Sequence, residues 1–95
     1  MKTRYTRRAL LDLAEIHDYI AAEDPAAAGR AIAEIEREIA QLEAHPRLGR
    51  AGRVEGTREL VVTRLPYIVA YNDLEREIQV LSVIHSARSW PTALR

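Results

Sequence analysis

Five residues in the second half of the chain have side chains suited to acid–base and phosphate chemistry: Arg58, Glu59, Arg64, Tyr67 and His85. An imidazole titrates near neutrality, so His85 suits a general acid or base. Glu59 suits a base, and the guanidinium of Arg58 or Arg64 suits a phosphate clamp. On paper this is a minimum for cutting RNA through its own 2′-hydroxyl. One group takes the proton, a cation neutralises the phosphorane, and an acid protonates the leaving oxygen. Strand alternation works against the set, because Arg58 and Arg64 share one face and Glu59 points to the other. The groups converge only if a bulge intervenes. Other chemistries are excluded: the chain has no cysteine, hence no disulfide, thiolate nucleophile or Cys-based metal site. His17, His45 and His85 lie far apart without metal-ligand spacing, so neither metal nor cofactor is expected.

The elements that must position these residues follow from periodicity. With 95 residues the chain is read as a single domain, 1–95. Residues 2–6 read as a short strand, and Thr6 then caps a helix. Over 7–22, Leu10, Leu13, Ala14, Ile16 and Ile20 share one side at about 100° per residue, with Asp12, Glu15 and Asp18 opposite. His17 falls inside that apolar stripe and is expected to pack there. Asp24-Pro25 starts a second helix, with Asp as N-cap and Pro at the first helical position. Its apolar face is Ala28, Ala31, Ile32, Ile35, Ile39 and Leu42, and His45-Pro46 ends it. The tight link makes an αα-hairpin. Residues 46–56 read as a mobile, Gly- and Arg-rich loop. Three strands follow, over 58–64, 67–72 and 77–85, joined by turns short enough to force antiparallel pairing. Pro66 cannot donate to a ladder and belongs in the first of those turns.

The last two strands are apolar on both faces. Tyr67, Val69 and Tyr71 oppose Ile68 and Ala70; Ile78, Val80 and Ile84 oppose Leu81 and Val83. Two helices cover one face, which predicts an uncovered second face that binds a partner. Charge divides along the chain. Residues 1–45 hold six basic against nine acidic residues, and 46–95 hold eight against five, giving −3 and +3 in a chain of net charge zero. The basic half points to an anionic contact. No apolar run is long enough to span a membrane, and Met1-Lys2-Thr3-Arg4-Tyr5 lacks the apolar core of a secretory signal. A cytoplasmic location is expected.

A strand–helix–helix opening, the Asp-Pro start and His-Pro end of the second helix, and the Gly/Arg loop are followed by three further runs. These are Gly56-Thr57-Arg58-Glu59-Leu60-Val61-Val62, Leu65-Pro66-Tyr67-Ile68-Val69-Ala70-Tyr71 and Val80 through Pro91. In this order they resemble the ParE/RelE superfamily of type II toxin–antitoxin toxins, often named plasmid stabilization proteins. The resemblance covers nearly the whole chain. It implies an α+β fold, β-α-α-β-β-β, with the N-terminal helical hairpin packed on one face of a small, mainly antiparallel sheet. It also implies a small antitoxin whose C-terminal segment wraps the toxin, giving a hetero-oligomer.

The superfamily divides by mechanism. RelE-like members cut mRNA in the ribosomal A site; ParE-like members poison DNA gyrase and are not nucleases. Nuclease members usually carry an arginine just after the tyrosine of the central strand, where this chain has Ile68. They also tend to be basic and lysine-rich, whereas this chain has Lys2 alone and no net charge. The ParE-like branch is therefore expected, with no catalytic residue and with partner contacts at Arg58, Arg64, Tyr67, His85, Arg88 and Trp90. The alternatives are a RelE-like nuclease built on His85, Arg58, Arg64 and Glu59, and a degenerate toxin kept as a binding module. Direct sequence-specific DNA binding is not expected, because the arginines concentrate in a Gly-rich loop and not on a recognition helix.

Overall fold

The computed structural model describes residues 1–87. The expectations for Arg88 and Trp90 therefore lie outside the described residues. The order is β1 (Lys2–Tyr5), α1 (Arg7–Ala21), α2 (Pro25–Ala40), a single 3₁₀ turn (Gln41–Glu43), β2 (Arg50–Ala51), β3 (Arg58–Val61), β4 (Tyr67–Asp73) and β5 (Glu77–His85). The five strands form one sheet in the order β1-β5-β4-β3-β2. β1 runs parallel to β5, and every other pairing is antiparallel. This is the expected α+β arrangement with one short strand added inside the 46–56 segment.

Both helix starts are capped as their sequences require. The Thr6 hydroxyl accepts from Ala9 N–H, and the Asp24 carboxylate accepts from Ala27 N–H with Pro25 directly after it. Ala9, Leu13 and Ile16 of α1 meet Ile35 and Ile39 of α2 and Leu42 of the 3₁₀ turn. Together they cover Leu60, Val69, Tyr71, Ile78, Val80 and Val83 of the sheet. The buried stripe of α1 is narrower than expected. Leu10 is exposed, and so is His17, whose Nδ1 lies 3.4 Å from Asp18 Oδ1. The two residues are seven apart and share the flank of the helix, beyond the line of Ala9, Leu13 and Ile16 that faces the sheet.

β5 does not alternate throughout. Ala70 pairs with Ser82 but Tyr71 pairs with Val80, so Leu81 is an extra residue, a β-bulge. The bulge reverses the parity expected from simple alternation. Val83, opposite Val69, joins Val80 and Ile78 on the helix side, while Ile84, opposite Ile68, stands on the other. Ile68, Ala70 and Ile84 on that second side are buried, at 4%, 0% and 8% exposure. The uncovered apolar sheet face is therefore not found there. The bulge exchanges Val83 for Ile84 between the two faces, so the second side is as apolar as alternation implies, and the difference lies in the burial of these residues.

β1 accompanies β5 only from Glu77 to Val80. Past that point α1 takes over the exposed edge. Thr6 Oγ1 donates to Leu81 C=O at 3.1 Å. The Asp12 carboxylate accepts from Val83 N–H at 2.9 Å and from Ser82 Oγ at 2.5 Å. Polar side chains from a helix flank thus satisfy main-chain groups that lack a neighbouring strand. Asp12 carries no sequence signal for this role beyond lying on the polar side of α1.

Candidate functional site

The four described contact residues do not form one site: the structure divides them, with Glu59, between opposite ends of the sheet.

At the first end, Arg58 and Glu59 anchor the 46–56 segment. Glu59 is 2% exposed. Its carboxylate accepts from Arg53 N–H at 2.7 Å and from Arg50 Nη2 at 3.2 Å, and Arg53 Nε lies 3.5 Å away. Arg58 Nη1 donates to Gly49 C=O at 2.8 Å. Tyr71 completes the anchor: its buried hydroxyl donates to Pro46 C=O at 2.8 Å and accepts from Gly49 N–H at 2.9 Å. Burial holds the Tyr71 phenol above its usual pKa, with a smaller push from the Asp73 charge. Gly49 is required by close approach, since a Cβ there would lie 2.7 Å from the Tyr71 ring and hydroxyl and 2.9 Å from Glu59 C=O. The segment is therefore ordered and not mobile as its composition predicts. It pairs with β3 through Arg50–Glu59 and Ala51–Arg58. Sequence reasoning missed Tyr71 as a polar residue because its position in β4 reads as core.

At the other end stand Tyr67, His85 and Arg64. Tyr67 and His85 are cross-strand partners on the helix side of the sheet, with ring centroids 5.5 Å apart at 84°, an edge-to-face pair. His85 Nδ1 accepts from Ala87 N–H at 3.1 Å, which assigns the ring proton of the neutral form to Nε2. The two rings line a groove of about 270 Å³ with Asp12, Glu15, Ile16, Tyr19, Val83 and Ala87. Among the described residues no arginine lines it. Arg64 lies in the β3–β4 turn, exposed, with φ of 72°. That turn is tied to the end of β5 by Ser86 N–H donating to Pro66 C=O at 2.8 Å.

The ends are well separated. Arg58 pairs with Tyr71 and His85 with Tyr67, so four residue steps along β4, about 13 Å, separate them. The bulge lies between Ala70 and Tyr71 and leaves this separation in place. Glu59 and Arg58 are not brought to His85. Among the described residues no group of three or more His, Cys, Asp or Glu is placed to hold a metal ion. No described helix is long and apolar enough to cross a membrane.

Comparison with known proteins agrees with the fold. A family model described as the ParE toxin of type II toxin–antitoxin system, parDE, matches residues 3–90. Y4kP of Sinorhizobium fredii, which carries a provisional toxin name, is 42% identical over 93 residues, covering 98% of this chain and 96% of that protein. Toxin RelE2 of Caulobacter vibrioides is 34% identical over 84 residues, covering 88% of this chain and 93% of that protein. A solved structure of a chromosomal ParDE TA system from P. aeruginosa superposes with a TM-score of 0.80 at 31% identity, covering 90% of this chain and 95% of that one. The strand order, the helical hairpin and these matches lead to one assignment: the chain belongs to the ParE toxin family of type II toxin–antitoxin systems.

Proposed function

We propose that this toxin is ParE-like in mechanism. It binds a topoisomerase, gyrase, as a protein inhibitor, and a cognate antitoxin neutralises it in a hetero-oligomeric complex. The observation that carries this reading is the lining of the His85 groove. An RNA-cutting site must present a cation to the scissile phosphate. Here the imidazole shares its groove with Asp12 and Glu15, whose charges repel a phosphate. Arg58 and Glu59 are already engaged with the 46–56 segment. Ile68, at the position where nuclease members usually carry arginine, is buried at 4% exposure. Catalytic roles are accordingly assigned to none of these residues, and Arg64, Tyr67 and His85 are offered as target contacts, with Arg58 supporting the loop. Arg88 and Trp90 are offered as further contacts from their residue types alone.

The test is inducible expression of the chain by itself in a bacterial host, read out two ways. Growth arrest with intact mRNA by primer extension, and inhibition of purified gyrase by the purified protein, is the expected result. Arrest with codon-phased mRNA cuts, abolished by His85→Ala, would overturn it in favour of a RelE-like nuclease. A folded chain that causes no arrest and leaves gyrase active would indicate a degenerate binding module.

A further inference from the structure

Arg64 is the sole non-glycine residue with positive φ among the described residues. In the left-handed region an L side chain crowds the adjacent carbonyl, and glycine or asparagine is the usual occupant. The turn around it is tightly held. Tyr67 N–H donates to Leu65 C=O at 2.8 Å and Val62 N–H to Tyr67 C=O at 3.0 Å. Leu65 packs against the core, and Pro66 fixes its own φ. Inside the fold, the Arg64 guanidinium gains nothing that offsets the strain, for it is exposed and no hydrogen bond or ion pair joins it to a described residue. Arg47, Arg50, Arg53 and Arg58 each have a partner. Backbone strain without an internal return is characteristic of recognition sites.

We propose that Arg64 is a target-recognition residue, its guanidinium held outward by the strained turn to pair with a carboxylate on the protein that the toxin inhibits. The inference rests on the protein-binding reading above. A carboxylate fits better than a nucleic-acid backbone. A polyanion crossing this end of the sheet meets Asp12 and Glu15 of the His85 groove, whereas a single acidic side chain reaches Arg64 alone.

The test uses the full chain and three variants, Arg64→Gly, Arg64→Asn and Arg64→Lys, each measured for thermal stability and for inhibition of gyrase supercoiling. Glycine and asparagine relieve the φ strain, and glycine's extra unfolded-state freedom offsets part of its gain. Both are expected to melt at or a few degrees above the parent. Both are expected to lose inhibition by about tenfold or more, the scale of an interface arginine. Lysine keeps the charge and is expected to stay within about threefold. Full inhibition by Arg64→Gly, or a lowered melting temperature that tracks lost inhibition in all three variants, would overturn the proposal. If the parent chain cuts mRNA and leaves gyrase active, the protein-binding reading fails. Loss of cutting in Arg64→Gly would then assign Arg64 a phosphate partner in place of a carboxylate. A parent inert in both assays removes the target and the proposal with it.

Discussion

The two ends of the sheet use polar side chains in opposite ways. At the β2–β3 end, Tyr71, Arg58 and Glu59 are turned inward onto the main chain and arginines of the 46–56 segment. At the Tyr67–His85 end, a half-buried imidazole and the Glu15 carboxylate border an open groove, an exposed arginine stands in the neighbouring turn, and Asp12 is bonded inward, to β5. Residue type does not distinguish them, since each end has an arginine, a tyrosine and an acid. The difference lies in what each group is bonded to. Polar groups satisfied inside the fold hold structure, and those left at the surface are available to a partner. Substitutions should therefore lower stability at the first end and function at the second.

The largest stability effect is expected from Tyr71→Phe. It leaves the Gly49 N–H and the Pro46 C=O without the hydroxyl that joins them, at about 1–3 kcal/mol for each buried group left unpaired. A loss of about 2–4 kcal/mol by equilibrium denaturation is predicted; a change within experimental error would erase the contrast between the ends.

Glu59→Ala comes next, at about 2 kcal/mol, the scale of hydrogen bonds to a charged group. Arg50 and Arg53 are half-exposed, so they regain water and no charge is stranded in the interior. Hydrogen exchange at Arg53 N–H should accelerate, and an unchanged rate would show that β2–β3 pairing alone orders the segment.

A smaller effect concerns pH. Burial raises the pKa of Tyr71, and burial with the charges of Glu36 and Glu43 raises that of Tyr5. In the unfolded chain these phenols ionise near pH 10. The folded state holds their protons more tightly, so stability is full below about pH 10 and falls as pH rises through the folded pKa values. Tyr71→Phe removes one of the two contributions, and its alkaline decline should be shallower. Urea midpoints measured from pH 8 to 11.5 check this, and parallel declines would refute the assignment to Tyr71.

Least of all should His85→Ala alter stability. Its hydrogen bond with Ala87 N–H is exposed, and the expected cost is within about 1 kcal/mol, including the edge-to-face contact with Tyr67. A drop of several kcal/mol would make this end structural as well, and sharpen the comparison the wrong way.

Much of this architecture was legible because it rests on local rules. Thr6 and Asp24 cap their helices as read, Pro66 lies in the turn, and β5 spans Glu77–His85. The candidate site was legible only as a set of residue types. Alternation correctly set Glu59 apart from Arg58, yet it gave no sign that both hold the 46–56 segment. That segment looked mobile because Gly49 and Gly52 resemble linker glycines. In the fold Gly49 is a point of close contact, with Tyr71 filling the space a side chain would need.

By itself the sequence determined the order of elements, their caps and breaks, and the apolar stripes that pair helices with sheet. These depend on neighbours three or four residues away along a helix, two along a strand, or adjacent in a turn. Tertiary structure alone decided the rest. It placed the extra residue at Leu81, which carried Val83 to the helix side; it set Asp12 against the main chain of β5; and it separated Arg58 from His85. Each of those outcomes depends on residues distant in sequence meeting in space, where a hydrogen bond 71 residues long in sequence, from Val83 to Asp12, counts as much as one across a turn.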